Sequence, residues 1–167
     1  DKTFGVFSDA SFKPSKTNST INSCAIIGTL PVLSGTMKEI HSGKIAAFIT
    51  FDDALASKIY AGSDILLMPS LFEPCGLSQI IAMSYGTLPL VRETGGLSDT
   101  VIPYNEFTGE GNGFSFTNYN AHDMLNVIEY AVNCYQDKKT WTKLVKNAMR
   151  TKFEWKTQAD EYLKIYS

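Results

Sequence analysis

Glu73, Cys75, Gly76, Leu77 and Ser78 stand in one short stretch, Pro69–Gln79, between an apolar run, Ile65–Met68, and a segment with helical spacing. A strand, a short loop bearing Pro and Gly, and then a helix start is how α/β proteins build anion sites. The first helical N–H groups have no partner inside the helix, and the aligned peptide dipoles place partial positive charge there. Thr94, Gly95 and Gly96 follow the next candidate strand. Main-chain amides suit phosphate, and a carboxylate accepts hydrogen bonds from hydroxyls. The combination points to a ligand that carries both phosphate and sugar, a sugar nucleotide.

Such a loop needs strands and helices to hold it. Candidate strands are Thr3–Phe7, Cys24–Ile27, Lys44–Thr50, Ile65–Met68 and Thr87–Val91, short apolar runs bounded by Gly, Pro, Ser or Asp. Runs of this kind fit strands buried on both faces of a parallel sheet. Helical segments alternate with them. Asp52 and Asp53 form an N-cap pair for a helix carrying Leu55 and Ile59, with Gly62 as its C′ residue. The next helix, Leu77–Tyr85, carries Leu77, Ile80, Ile81 and Ser84 on one stripe and stops at Gly86. A third begins near Gly96. The alternation predicts an α/β fold with a doubly wound parallel sheet, Rossmann-like, followed by C-terminal helices.

In the C-terminal third, Asn105–Gly113 reads as a polar loop and Gly113–Phe116 as a short edge strand. Two amphipathic helices follow, one with Met124, Leu125, Ile128, Ala131, Val132 and Tyr135 on its stripe, the other with Trp141, Leu144, Val145, Ala148 and Met149. A last helix, Trp155–Tyr166, places Ala159, Tyr162, Leu163 and Tyr166 on one face. Ser8–Asn22 is the puzzle. A parallel pair of strands needs a crossover, usually helical, and this polar, proline-broken stretch does not supply one.

The chain has 167 residues, enough for one domain with a real core, and the whole of 1–167 reads as a single ligand-binding domain with residues 1–24 atypical. Hydrophobic residues make up 44% and charged residues 19%, ordinary for a globular domain. Its 15 basic residues are scattered among 17 acidic ones, so no nucleic-acid surface is expected. No apolar run approaches the ~20 residues of a membrane span. The start, Asp1-Lys2-Thr3, has no initiator Met and no signal-peptide shape, as expected of a piece of something longer. Cys24, Cys75 and Cys134 are odd in number and widely spaced, which favours neither a disulfide framework nor a zinc site and fits a reducing compartment. His41 and His122 are isolated and read as surface or cap residues.

From Phe72 to Gln79, Tyr85 to Arg92 and Thr94 to Val101, the sequence closely resembles bacterial glycogen synthases and plant starch synthases, retaining glucosyltransferases of the GT-B architecture. The likeness extends to Phe51–Ala56, Lys58–Asp64, Asn112–Phe116 and Phe153–Trp155, and so runs from about Ala25 to the end. It implies the C-terminal, nucleotide-binding half of such an enzyme. It implies further that Glu73, the catalytic candidate, contacts hydroxyls of the donor. Cys75, Gly76, Leu77 and Ser78 would hold phosphate and sugar oxygens, Tyr60 would stack on adenine, and Thr94, Gly95 and Gly96 would line the donor pocket. Each has a plainer alternative. Glu73 could be a solvated loop carboxylate, and Tyr60 could be core beside Leu55 and Ile59. Cys75 could be packing, though a helix start can lower a thiol's pKa. Ser78 could be an N-cap, and Gly95-Gly96 only a turn.

The resemblance also shows where this chain departs from the pattern. The family places an arginine and a lysine after its first strand, where they neutralise the donor diphosphate. Here Asp9 stands at the arginine's place, and Lys13 or Lys16 could substitute only if the loop folds back. A second glutamate of related glycosyltransferases is replaced by Ile81, as in many glycogen and starch synthases. The implied enzyme transfers glucose from ADP-glucose, or UDP-glucose, to the non-reducing end of an α-1,4-glucan with retention. It needs no cofactor and no metal, since no Asp-x-Asp pair adjoins the site. The glucan acceptor would be held by a missing N-terminal domain, so the fragment alone is expected to be inactive. The implied location is cytoplasmic, or plastidial in a plant. The alternative is a degenerate, non-catalytic GT-B domain serving as an interaction or regulatory module. A nicotinamide-binding protein is disfavoured, because no Gly-rich turn follows the first strand.

Overall fold

Strands that are apolar along their whole length fold stably only when both faces are covered. That rule organises the computed structural model, which describes residues 3–8, 23–28, 46–48, 52–153 and 155–166. Six strands form one sheet: β1 (Thr3–Ser8), β2 (Ser23–Gly28), β3 (Ala46–Phe48), β4 (Ile65–Met68), β5 (Leu88–Arg92) and β6 (Phe114–Phe116), in the order β3-β1-β2-β4-β5-β6. The helices are α1 (Asp53–Gly62), α2 (Ser78–Ser84), α3 (Gly96–Thr100), α4 (Ala121–Gln136), α5 (Lys138–Arg150) and α6 (Trp155–Tyr166).

Alternate residues of the central strands enter two different cores. Ile65 and Leu67 of β4, with Leu88 and Leu90 of β5 and Phe114 and Phe116 of β6, pack with Ala131, Val132 and Tyr135 of α4 and Trp141, Leu144 and Ala148 of α5. Leu66, Met68 and Val91 enter the other core with Ala56, Ile59 and Tyr60 of α1 and Leu97 of α3. Helices therefore cover both faces, and the period of two along each strand decides which core a side chain joins. Asp52 caps α1 by accepting from the Leu55 amide at 3.0 Å. Gly62 ends α1 as its last helical residue, with Ser63 extended after it, so the expected left-handed C′ glycine is not used. At the end of α2 the amides of Gly86 and Thr87 return to the carbonyls of Met83 and Ala82, both at 3.0 Å, a Schellman stop.

The expected parallel sheet is present in β2, β4, β5 and β6, which pair parallel in that order. β1 differs: it lies antiparallel to both β2 and β3. Antiparallel neighbours need no crossover helix, so the requirement that made Ser8–Asn22 puzzling does not arise. Residues 9–22 themselves, with Asp9, Lys13 and Lys16, and also His41, lie outside the described residues.

Two expected stripes shift. On α2 the buried residues are Ser78, Gln79, Ala82 and Met83, while Leu77 and Ile81 are exposed. On α6, Tyr162, Leu163 and Tyr166 are exposed rather than packed. The stripes of α4 and α5 hold, except that Leu125 and Met149 lie toward solvent. His122 is exposed near the start of α4. No described helix is long and apolar enough to cross a membrane.

Candidate functional site

Two loops leave the C-terminal ends of neighbouring parallel strands, one after β4 and one after β5. Open α/β sheets place ligands at those ends. The loops touch. The Gly96 amide donates to the carbonyls of Glu73 and Pro74, each at 3.2 Å. A Cβ on Gly96 would overlap the Cys75 carbonyl, and one on Gly95 would overlap that of Glu73. Main chain lies against main chain there, which is why glycine is required. The structure thus brings Glu73, Cys75 and Gly76 together with Thr94, Gly95 and Gly96, as expected from their strand positions.

The β4 loop is held from behind by its carbonyls. Nη1 of Arg92 donates to the carbonyl of Leu71 at 2.7 Å and to that of Ser70 at 3.4 Å. The Gly96 amide takes Glu73 and Pro74. Nε2 of Gln79 donates to the carbonyl of Gly76 at 2.9 Å and, more weakly, to that of Cys75 at 3.4 Å. All peptide bonds here are trans, so each carbonyl and the next amide point in opposite directions across one plane. Holding the carbonyls of Pro74, Cys75 and Gly76 turns the amides of Cys75, Gly76 and Leu77 to the other side of the chain, where Cys75 and Leu77 are exposed and Gly76 is buried. Among the described residues none of these three amides has an acceptor. Leu77 starts α2 without a side-chain cap, at φ −110° and ψ −26°, directly after Gly76 at φ +66°. Successive left- and right-handed residues with free amides make a concave anion nest.

The individual side chains sort clearly. Glu73 is half-buried, and among the described residues its carboxylate has no hydrogen-bond partner. Cys75 and Leu77 are exposed at the loop. Thr94 is half-buried, and its carbonyl accepts from the Leu97 amide at 3.1 Å to open α3. Ser78 is buried and hydrogen-bonds the Tyr60 hydroxyl. Tyr60 requires a correction: at 5% exposure it sits in the core with Ile59, Leu66 and Val91, with no open ring face on which adenine could stack. Burial pushes its phenol pKa up, against the opposing effect of the Ser78 bond. The carbonyl of Tyr60 and that of Ser63 also share the Thr87 hydroxyl, which ties the end of α1 to the start of β5. Among the described residues no cluster of His, Cys, Asp or Glu is arranged to hold a metal ion.

Three contributors carried no assigned role in the sequence: Gln79, Thr100 and Arg92. A sequence signal for the first did exist. Gln79 sits one turn before Ala82 and Met83, so any helix that buries those two must bury the glutamine amide as well.

Residues 23–150 match the family described as glycosyl transferases group 1. The glycogen synthase of Clostridium botulinum strain Alaska E43 is 60% identical over 126 residues, which are 75% of this chain and 26% of that protein. The glycogen synthase of Clostridioides difficile strain 630 is 61% identical over 125 residues, with coverage of 75% and 26%. The chain therefore spans about a quarter of the length of these curated relatives. The catalytic domain of starch synthase IV from Arabidopsis thaliana, solved bound to ADP and acarbose, superimposes with a TM-score of 0.66 at 40% identity, covering 71% of this chain and 25% of that one. Sucrose-phosphate synthase from Thermosynechococcus elongatus gives 0.60 at 25% identity, covering 84% and 36%. With a Rossmann-like sheet of the GT-B kind and a family match over most of its length, the chain belongs to the glycosyl transferases group 1 family.

Proposed function

We propose that this chain is the donor-binding part of a glycogen or starch synthase, an enzyme that transfers glucose from ADP-glucose to the non-reducing end of an α-1,4-glucan with retention. The observation that carries the proposal is the set of amides at Cys75, Gly76 and Leu77, without acceptors among the described residues, beside a Glu73 carboxylate likewise without a partner among them. The amides would take the diphosphate, and the carboxylate would take sugar hydroxyls. The reverse assignment would set a carboxylate against phosphate, which is repulsive at close range. The ADP in the starch synthase structure favours an adenine donor, with UDP-glucose the second choice. Thr94, Gly95 and Gly96 would form the opposite lip.

Neither a cofactor nor a metal is part of this proposal: charge on the diphosphate would be met by amides and by a helix end. The glucan acceptor would bind to the rest of the enzyme, an N-terminal GT-B domain. Catalysis by positioning and charge stabilisation needs both walls of the cleft.

An NMR titration of the ¹⁵N-labelled chain with ADP tests the donor site. The amides of Gly76, Leu77 and Gly96 are expected to shift together, saturably, while core amides such as that of Leu144 stay in place. If no amide in residues 73–77 responds at any attainable ADP concentration, the donor role fails. A non-catalytic interaction module of the same fold then becomes the better account, and the replacement of the family's arginine by Asp9 favours that second possibility.

A further inference from the structure

Gln79 is fully buried, at 0% exposure, in a helix that otherwise buries small or apolar side chains. Its Oε1 is buried without a partner among the described residues. An unpaired buried acceptor is unfavourable, so packing alone would be better served by Leu or Met. The Nε2 group does what neither of those could. It donates to the Gly76 carbonyl at 2.9 Å and to Thr100 Oγ1 at 3.0 Å. The Thr100 hydroxyl in turn donates to the Gly96 carbonyl at 2.7 Å. One unbroken chain of hydrogen bonds thus runs from the β4 loop to the start of α3.

We propose that Gln79 is a positioning residue that, through Thr100, locks the two lips of the donor site to one another and fixes the direction of the anion-binding amides. The proposal rests on the donor-site reading given above. The Gly76 carbonyl and the Leu77 N–H share one peptide plane, so a donor that holds the first aims the second. The amide of Gln79 also lies flat against Gly76. A Cβ there would come within 2.6 Å of Oε1 and 2.9 Å of Nε2, so the glycine leaves room for the clasp. Reversal of the Gln79 amide would set its oxygen against the Gly76 carbonyl oxygen and against a Thr100 hydroxyl whose proton is already committed to Gly96. The orientation is therefore determined by its partners.

The test uses the full chain with Gln79→Met, which keeps the volume but removes both donors, and with Thr100→Val and Thr100→Ser. Gln79→Met is expected to weaken ADP binding at least fivefold by NMR titration while core amides keep their shifts. Thr100→Val should weaken it in the same direction, and Thr100→Ser should restore it. Combining Gln79→Met with Thr100→Val should add little, because both break one network. A readout without ligand runs in parallel: hydrogen exchange at the Gly96 amide should accelerate in Gln79→Met. A folded Gln79→Met with unchanged ADP affinity and unchanged Gly96 exchange overturns the clasp, as does full additivity of the two changes. If the wild-type chain binds no ADP, the donor-site reading fails, and the exchange rate at Gly96 still decides the clasp. If Gln79→Met does not fold, Thr100→Val compared with Thr100→Ser decides it.

Discussion

A carboxylate and a set of main-chain amides can serve one ligand only if they face different parts of it. Glu73 and the amides of Cys75, Gly76 and Leu77 are a few bonds apart on one loop, yet their preferences are opposed: the first repels phosphate and the others attract it. The division of labour can be measured. Glu73→Gln keeps the shape and removes the charge. Hydrogen bonds to a charged group contribute ~1.5–3 kcal/mol against ~0.5–1.5 for neutral ones, and a difference of ~1.4 kcal/mol is tenfold in affinity. The variant is therefore expected to lose about tenfold in affinity for ADP-glucose and almost none for ADP, which lacks the sugar's hydroxyls. Paired calorimetric titrations with the two nucleotides check this. Equal losses for both would mean that Glu73 acts on the loop rather than on the sugar. Gly96 belongs at the same scale. Its amide holds Glu73 and Pro74 in place, and the Cys75 carbonyl lies where a side chain would begin, so the carboxylate and the nest are positioned by main-chain contacts that only glycine allows.

Helix ends are where element-level electrostatics can be read directly. Asp137 links α4 to α5: it accepts from the Thr140 hydroxyl at 2.7 Å and from the Lys139 amide at 3.0 Å. The Thr140 bond first, and the main-chain bonds after it, hold the Asp137 carboxyl below the ordinary carboxylate range. A carboxyl whose folded pKa is depressed adds stability above its unfolded pKa and loses it as the pH falls through the folded one. Thermal denaturation should therefore show a component of stability present at neutral pH that declines as the pH drops below the ordinary aspartate range. Asp137→Asn keeps an N-cap and should flatten that component, and an unchanged pH profile in the variant would sink the assignment. The sequence foretold the two helices that Asp137 joins and most of the strands because their cues are local: β4 came out at Ile65–Met68 as expected, and a buried strand is a short apolar run between breakers. α2 was misread for a physical reason. Its buried side presents Ser78 and Gln79 because the Ser78 hydroxyl has Tyr60 and the Gln79 Nε2 has Gly76 and Thr100 as partners, and a count of apolar residues turns the helix the wrong way. The direction of β1 was equally out of reach. Its sequence reads alike for parallel and antiparallel pairing, and only its neighbours choose. The amide nest was legible as a loop type, while the inward hold on its carbonyls depends on Arg92 and Gln79, residues whose partners are set by the tertiary fold.

At the scale of the whole molecule, the question is how far one wall of a cleft can act alone. The two cores on either face of the sheet make residues 52–153 a packed platform, and the lips at the ends of β4 and β5 are joined to one another by main-chain bonds. What the platform offers a diphosphate is modest. A helix end contributes ~0.3–1 kcal/mol and each neutral hydrogen bond ~0.5–1.5. The family's arginine and lysine would add charge, but the sequence offers Asp9 at the place expected of the arginine, outside the described residues and outside the matched 23–150. Removing one partner of a desolvated charge pair costs ~2–5 kcal/mol, roughly 30- to several-thousand-fold in affinity. Calorimetry on the chain of 167 residues is therefore expected to give a dissociation constant for ADP in the millimolar range. Transfer should be absent altogether. The chain spans only 26% of its glycogen synthase relatives; with the acceptor held by the rest of the enzyme, as proposed above, the chain by itself would lack the proximity and electrostatic terms that make transfer fast. Incubation with radiolabelled ADP-glucose and glycogen should leave no label in the polymer, while the same assay on a full-length relative incorporates it. Submicromolar ADP binding would show that a basic partner for the diphosphate has been found elsewhere in the chain, and label in glycogen would show that the acceptor site lies within these 167 residues after all.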